Sequence, residues 1–204
     1  MPEALLTALS DEIGQCRRCD DARITVRHAG AMNRGVGRDL MVIGIEPGNT
    51  ELDTGEAFSG LAGRRLMDWL IDAGVGTNRT EILSRSHLTS ICKCNIVSKH
   101  HLMRAAANCL PFLQQQIAIV NPGVCITLGS EPLRFLFGSG IELEDAVRRT
   151  WREADFGTLF QIFSTECKIL PLPHPSPRST WLNSEDHKML LKDALSRLRQ
   201  ELLG

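Results

Sequence analysis

Leu40-Met41-Val42-Ile43-Gly44-Ile45-Glu46-Pro47-Gly48 is the stretch whose reading decides the fold class. Leu40 to Ile43 have the unbroken hydrophobicity of a strand buried on both faces in a parallel sheet, and they run straight into a Gly-x-Glu-Pro-Gly turn. Pro47 fixes its own φ and disfavours helical backbone at Glu46, while Gly44 and Gly48 admit positive φ or a ligand close to the main chain. A carboxylate is thereby set at the carboxyl end of a core strand, where open α/β sheets place ligands. On its own the motif describes a plain strand-to-loop turn equally well.

The same pattern recurs along the chain. Val124-Cys125-Ile126-Thr127-Leu128 reads as a second apolar strand, followed by Gly129-Ser130 and a helix through Leu133, Leu136 and Phe137. His87 opens a short strand, Leu159 to Ser164 is a third candidate, and Ile169 to Pro173 enters another loop. Helical periodicity covers Pro2–Ile13, Leu61–Ala73, a segment opening at Pro111, and a final helix capped by Asn183 or Ser184. Ala29–Asp39 reads as a glycine-rich loop, Asn49–Gly63 as a long loop, and Gly138–Asp155 as exposed. Strands alternating with helices predict an α/β protein: a three-layer α/β/α sandwich on a short, mainly parallel central sheet, with residues 1–204 as one domain.

The 204 residues are 43% apolar, with 23 basic and 24 acidic side chains. That balance gives no general attraction to nucleic acid, so any such surface must be local. No apolar run approaches about 18 residues, and the amino terminus lacks a secretory pattern, so a cytoplasmic protein without membrane association is expected, and a monomer.

Seven cysteines are many for a reducing compartment, and an odd number argues against a paired disulfide framework. Cys16-Arg-Arg-Cys19 is the local half of a four-cysteine site, and Cys94 and Cys109 supply a second, sequence-distant half. Thiolates at that spacing suit zinc or an iron-sulfur cluster alike, and Cys92 competes with Cys94 as a ligand. Cys125 reads as a buried core thiol. Arg17, Arg18, Arg23 and Arg27 form a basic stretch, either solvated or facing phosphates.

Phe58, alone among glycines, is either a plug for its loop or a flat face for a planar ligand. His174-Pro175-Ser176-Pro177-Arg178-Ser179 is the second chemical stretch: prolines hold the imidazole in a preset position, and Ser176, Arg178 and Ser179 suit phosphate contacts. A structural histidine and an exposed loop arginine are the plainer alternatives.

Together these residues resemble the uracil-DNA glycosylase superfamily, particularly its iron-sulfur family 4 type. The resemblance runs in order through Cys16-x-x-Cys19, Gly44-Ile45-Glu46-Pro47-Gly48, the loop of Gly55, Phe58, Gly60 and Gly63, Lys93-Cys94, Cys109, Pro122 to Gly129, and His174-Pro175-Ser176. It implies a hydrolase that cleaves the N-glycosidic bond of uracil or another deaminated base in DNA. Cys16, Cys19, Cys94 and Cys109 would hold a [4Fe-4S] cluster, with zinc as the other occupant, and residues 1–30 and 92–110 would build that region. Phe58 would stack on a flipped base, backbone groups at Gly44, Ile45 and Gly48 would touch base or sugar, and His174 would donate to uracil O2.

Two departures accompany the resemblance. The family 4 turn usually carries Glu at its second position, whereas here Ile45 stands there and Glu46 follows, where other branches carry the residue that serves the water. Ser90 replaces an Asn that reads the polar edge of uracil, and one hydroxyl cannot copy a bidentate amide. Glu46 is therefore expected to direct water, and Ser90 to relax or shift base preference. A nucleic-acid-binding iron-sulfur protein without excision is the non-enzymatic alternative.

Overall fold

The computed structural model describes residues 2–30, 32, 34–138, 140–156 and 162–203. Its strands are β1 (Val26–Arg27), β2 (Leu40–Gly44), β3 (Ser86–Ser90), β4 (Asn95–Ile96), β5 (Val124–Leu128) and β6 (Lys168–Leu172). The α-helices are α1 (Pro2–Gln15), α2 (Arg18–Asp21), α3 (Asn49–Thr54), α4 (Leu61–Asp72), α5 (Arg79–Arg85), α6 (Leu102–Val120), α7 (Ser130–Phe137), α8 (Leu143–Val147) and α9 (Glu185–Leu203).

Four strands form one parallel sheet in the order β3-β2-β5-β6. All five residues of β2 and of β5 are buried, which is why both read as continuous apolar runs. Alternation along β2 divides the core. Leu40 and Val42 join a cluster with Leu66, Leu70 and Leu198 from α4 and α9, whereas Met41 and Ile43 join one with Leu113, Ile117 and Leu133 from α6 and α7. Helices therefore cover both faces, giving the expected α/β/α layers. The chain leaves β2 toward β3 on one side and returns through β5 on the other, which makes the β2/β5 boundary a topological switch point.

Several sequence expectations need revision. α6 begins at Leu102 and runs through Pro111, its tenth residue, instead of opening there. An internal proline costs a helix roughly 3 kcal/mol, and here Ala105, Ala106, Cys109, Phe112 and Leu113, all buried, pack the helix on both sides of it. The 49–63 stretch contains α3, entered from Gly48 and left through Gly55 at φ 69°. The 138–155 stretch contains α8, whose Ala146 and Val147 are buried. Of the strand expected over 159–164, residues 159–161 lie outside the described residues, and Ile162–Ser164 form no strand. No described helix is long and apolar enough to cross a membrane.

Candidate active site

A cavity of about 210 Å³ opens at the carboxyl edge of the sheet, at the switch point. Its walls come from the ends of separate strands: Ile45 and Glu46 after β2, Thr89 and Ser90 at the end of β3, and His174 after β6. Phe58 closes one side and Arg34 another.

Phe58 has a left-handed backbone at φ 53°, a conformation a bulky residue adopts only under constraint. Arg79 supplies that constraint by donating to the carbonyls of Phe58 at 3.1 Å and Ala57 at 2.6 Å. Gly63 is required beneath the turn, because a Cβ there would lie 1.8 Å from the Phe58 carbonyl oxygen. A Cβ on Gly44 would meet Phe58 Cζ at 3.1 Å, so the ring sits against the end of β2. Phe58 packs against the core cluster and also lines the cavity, so its position suits both sequence readings, a plug for its loop and a flat face for a ligand. Arg79 went unrecognised as its clamp, since a lone arginine in a short helix carries no sequence signal.

Glu46 lines the cavity but is engaged by its own protein. Oε2 accepts the Ile96 backbone N–H at 3.0 Å, and Oε1 is ion-paired with Lys99. Each carboxylate oxygen keeps a further lone pair. Glu51, not singled out from sequence, brings a second carboxylate: Oε1 accepts the Gly60 N–H at 2.8 Å, and Oε2 would lie 2.6 Å from a Cβ on Gly48. Gly48 thus lets Glu51 fold back and staple α3 to the start of α4.

His174 has a defined tautomer. Its Nδ1 accepts the Ser176 backbone N–H at 3.1 Å, so the neutral ring carries its proton on Nε2. Burial lowers its pKa, partly opposed by Glu131. Protonating Nδ1 would also set two donors against each other. The imidazole is therefore a neutral Nε2–H donor on the cavity wall.

Ser90 uses its only donor internally, giving its hydroxyl proton to the Cys92 carbonyl at 2.8 Å. Beneath it, the fully buried Lys93 donates to Thr89 Oγ1 at 3.0 Å, to Gln116 Oε1 at 2.6 Å and to the Ser90 carbonyl. Burial lowers the Lys93 pKa to about 7. This lysine holds the end of β3 and does not line the cavity. Arg34 does line it, deep in the wall. In the sequence it lies inside a glycine-rich loop, and the adjacent glycines carry the signal: Cβ atoms on Gly35 and Gly37 would fall 2.4 Å and 1.9 Å from the β3 region's backbone, so that loop is pressed inward.

A second, larger concavity of about 540 Å³ shares His174 and Ile45 and adds Ser176, Arg178 and Ser179. The proposed phosphate-contact residues therefore adjoin the cavity mouth, together with the acidic Glu131. Ser176 Oγ accepts the Arg178 N–H at 3.2 Å, which shapes this turn.

The metal expectation is corrected. Cys16, Cys19, Cys94 and Cys109 line one narrow space, yet among the described residues no group of three or more His, Cys, Asp or Glu side chains is arranged to hold a metal ion. All four are free thiols, as is Cys92. Their sulfurs face separate partners: Cys94 meets His28 Nδ1 at 3.8 Å, Cys109 accepts the Lys93 N–H at 3.4 Å, and Cys19 faces Asn108 Nδ2 at 3.9 Å. Burial raises the pKa of Cys19 and Cys109 and pushes Cys94 up to about 11. Neither the [4Fe-4S] cluster nor zinc fits this arrangement. Arg18 and Asn108 instead join the amino-terminal segment to α6 by reciprocal hydrogen bonds at 3.2 and 3.4 Å.

Comparison with known proteins finds type-4 uracil-DNA glycosylases at low identity. A type-4 uracil-DNA glycosylase of Saccharolobus solfataricus is 28% identical over 173 residues, covering 84% of this chain and 76% of the relative. That of Sulfurisphaera tokodaii is 21% identical over 197 residues, 96% of this chain and 84% of the relative. That of Pyrobaculum aerophilum is 31% identical over 128 residues, 61% of this chain and 60% of the relative. The family model described as the uracil DNA glycosylase superfamily matches residues 35–199, which span β2 to β6 and every strand end around the cavity, and the chain belongs to that superfamily.

Proposed function

We propose that the protein is a DNA glycosylase that hydrolyses the N-glycosidic bond of uracil or another deaminated base, leaving an abasic site. The observation that carries this reading is the convergence of Phe58, the Nε2–H of His174 and the Glu46 carboxylate on one cavity at the sheet's switch point. A base inside a duplex cannot reach such a cavity, so the nucleotide must be flipped out, and Phe58 offers the face on which the flipped ring stacks.

As the C1′–N bond breaks, its electron pair moves into the base and charge grows on the carbonyl oxygen beside the bond. A fixed neutral donor at His174 stabilises that charge without having to reorganise. The sugar becomes cationic, and Glu46 beside the mouth opposes that charge and can accept a hydrogen bond from the attacking water through a free lone pair. The water's oxygen bonds to C1′, and its proton leaves by way of the carboxylate. Ser176, Arg178 and Ser179, at the adjoining concavity, would carry the phosphates flanking the flipped nucleotide.

The test is alkali-labile strand cleavage of labelled DNA containing uracil, hypoxanthine, xanthine or thymine, with wild type compared with E46A. Uracil-dependent abasic sites that fall by about a hundredfold or more in E46A support the assignment. One observation favours a second reading, a protein that binds the flipped base without excising it: both Glu46 oxygens already have partners in Lys99 and Ile96. Tight binding with no abasic product would establish that reading instead.

A further inference from the structure

The least explained group in the cavity is Arg34. Only 5% of it is exposed, and it is absent from the ion pairs formed among the described residues. Nη1 donates to the Met32 carbonyl at 3.1 Å and to Ser10 Oγ at 3.4 Å. Nε and Nη2 have no protein acceptor among the described residues, yet neither is among the buried atoms sealed from solvent. The solvent space that Arg34 lines is the cavity itself. Burial lowers its pKa to about 10, so it remains a cation at neutral pH. A buried cation without a carboxylate is costly unless something else accepts from it.

The neighbouring polar groups give that acceptor a chemical identity. Arg34 can only donate. The neutral His174 donates through Nε2–H. Ser90, with its proton committed to the Cys92 carbonyl, can only accept. Two donors and one acceptor complement an imide edge, C(=O)–NH–C(=O). Uracil has that edge at O2, N3–H and O4, and xanthine has it at O2, N1–H and O6. Cytosine, with an unprotonated N3 and an amino group at C4, opposes both Ser90 and a donor. Guanine presents an amino group where xanthine has a carbonyl.

Resting on the glycosylase reading, we propose that Arg34 is the specificity-determining residue of this pocket, donating to the exocyclic carbonyl that deamination creates, so that the protein selects imide-edged bases, uracil and xanthine, over cytosine and guanine. The missing Asn at position 90 is then compensated from a different part of the chain, and recognition follows the edge of the base more than its ring size.

Binding, not turnover, tests this. Single strands carrying one 2′-fluoro nucleotide resist cleavage at that position, so affinity can be measured whether or not the protein excises bases. Wild type should bind uracil about tenfold or more tighter than cytosine, and xanthine tighter than guanine, because charged hydrogen bonds discriminate on that scale. In R34M, checked for folding by its melting temperature, the uracil-to-cytosine ratio should fall below about threefold. If R34M does not fold, pyrimidin-2-one tests the unaltered protein: it shares cytosine's unprotonated N3 but has no group at C4, so it should bind tighter than cytosine, whose amino group opposes Arg34, and weaker than uracil. Equal binding of uracil and cytosine by wild type, xanthine bound no better than guanine, or full discrimination retained by folded R34M would each overturn the proposal. Absence of excision alongside Arg34-dependent discrimination would defeat only the hydrolytic reading.

Discussion

Gly63→Ala is the sharpest probe of how the cavity is held. The new Cβ would lie 1.8 Å from the Phe58 carbonyl oxygen, 2.2 Å from its carbonyl carbon and 2.7 Å from its Cα, where real Cβ atoms keep at least 3.0 Å. Relief therefore takes a movement of about 1 Å, and all three obstacles are main-chain atoms. Phe58 cannot give freely, because Arg79 holds its carbonyl and its φ is already left-handed. α4 cannot retreat freely either, since Leu66 and Leu70 are fully buried in the core. Overpacking of this kind costs about 1–3 kcal/mol, or a melting temperature lowered by roughly 2–12 °C in a chain of this size. If the shift reaches the ring, misplacement by about 1 Å costs on the order of a hundredfold in rate. The assay is the initial rate of abasic-site formation on uracil-containing single strands, beside thermal melting. Gly74→Ala is the control: its φ of 76° strains an alanine, but the nearest atom to its Cβ is Arg199 Nε at 3.7 Å, outside the cavity. G74A should lose stability and keep its rate. A G63A protein with unchanged melting and kcat/KM within twofold of wild type would refute the account of Phe58 as a constrained wall.

H174A should lower kcat by roughly 10²–10³, the usual loss when a preorganised donor to developing negative charge is removed. Because burial lowers the His174 pKa, wild-type activity should hold level through pH 6.5 and fall only in more acidic solution, as read from a pH–rate profile; a decline centred above pH 6.5 would contradict the neutral tautomer. His87 is buried with a pKa lowered to about 4, so between about pH 6.5 and 4 the unfolded chain binds the extra proton. Stability should fall as pH drops through that window, by about 3 kcal/mol in total, and urea midpoints of H87Q should lack that part of the slope. K93M should lose about 2–4 kcal/mol in denaturant unfolding, because Thr89 Oγ1, Gln116 Oε1 and the Ser90 carbonyl lose a shared buried donor.

The parts of this molecule that were legible in the sequence are those where one local requirement dominates. β2 and β5 are buried on both faces, so nothing polar interrupts their apolar runs. His174 stands between prolines, and the backbone turn they impose is what brings the Ser176 N–H to its Nδ1. What stayed hidden depends on partners distant in sequence. Pro111 reads as a helix start, because the buried contacts that carry α6 through it come from other elements. Arg34, Arg79 and Lys93 are ordinary basic residues until folding places Arg34 on the cavity wall, Arg79 under Phe58 and Lys93 beneath Ser90. The cysteines show the reverse error. Spacing predicts that four thiols meet, and they do share one space, but ligation also depends on how the side chains are arranged around an ion, which spacing does not carry.

The one-residue displacement of the acid in the turn has a structural counterpart. Ile45 packs against the apolar cluster and also lines the cavity, while the Glu46 carboxylate reaches the Ile96 backbone N–H and Lys99. An apolar residue at 46 would leave the Ile96 N–H without its acceptor. The main chain holds this arrangement in register, since the Gly44 and Ile45 carbonyls accept from Ile91 at 2.9 Å and Cys92 at 2.8 Å, extending the β2–β3 pairing past the strand ends. Asn95 Nδ2 adds a bond to the Pro47 carbonyl at 2.9 Å. Glu46 is thus tied to the segment carrying Asn95, Ile96 and Lys99, and in the proposed reaction the carboxylate's freedom to serve a water is set by how tightly Lys99 holds it. Lys99 is 60% exposed and at the end of a flexible side chain, whereas the Ile96 N–H is backbone. On the proposed glycosylase reading, Oε1 is therefore the oxygen that the phosphates of incoming DNA, competing for the ammonium, would set free.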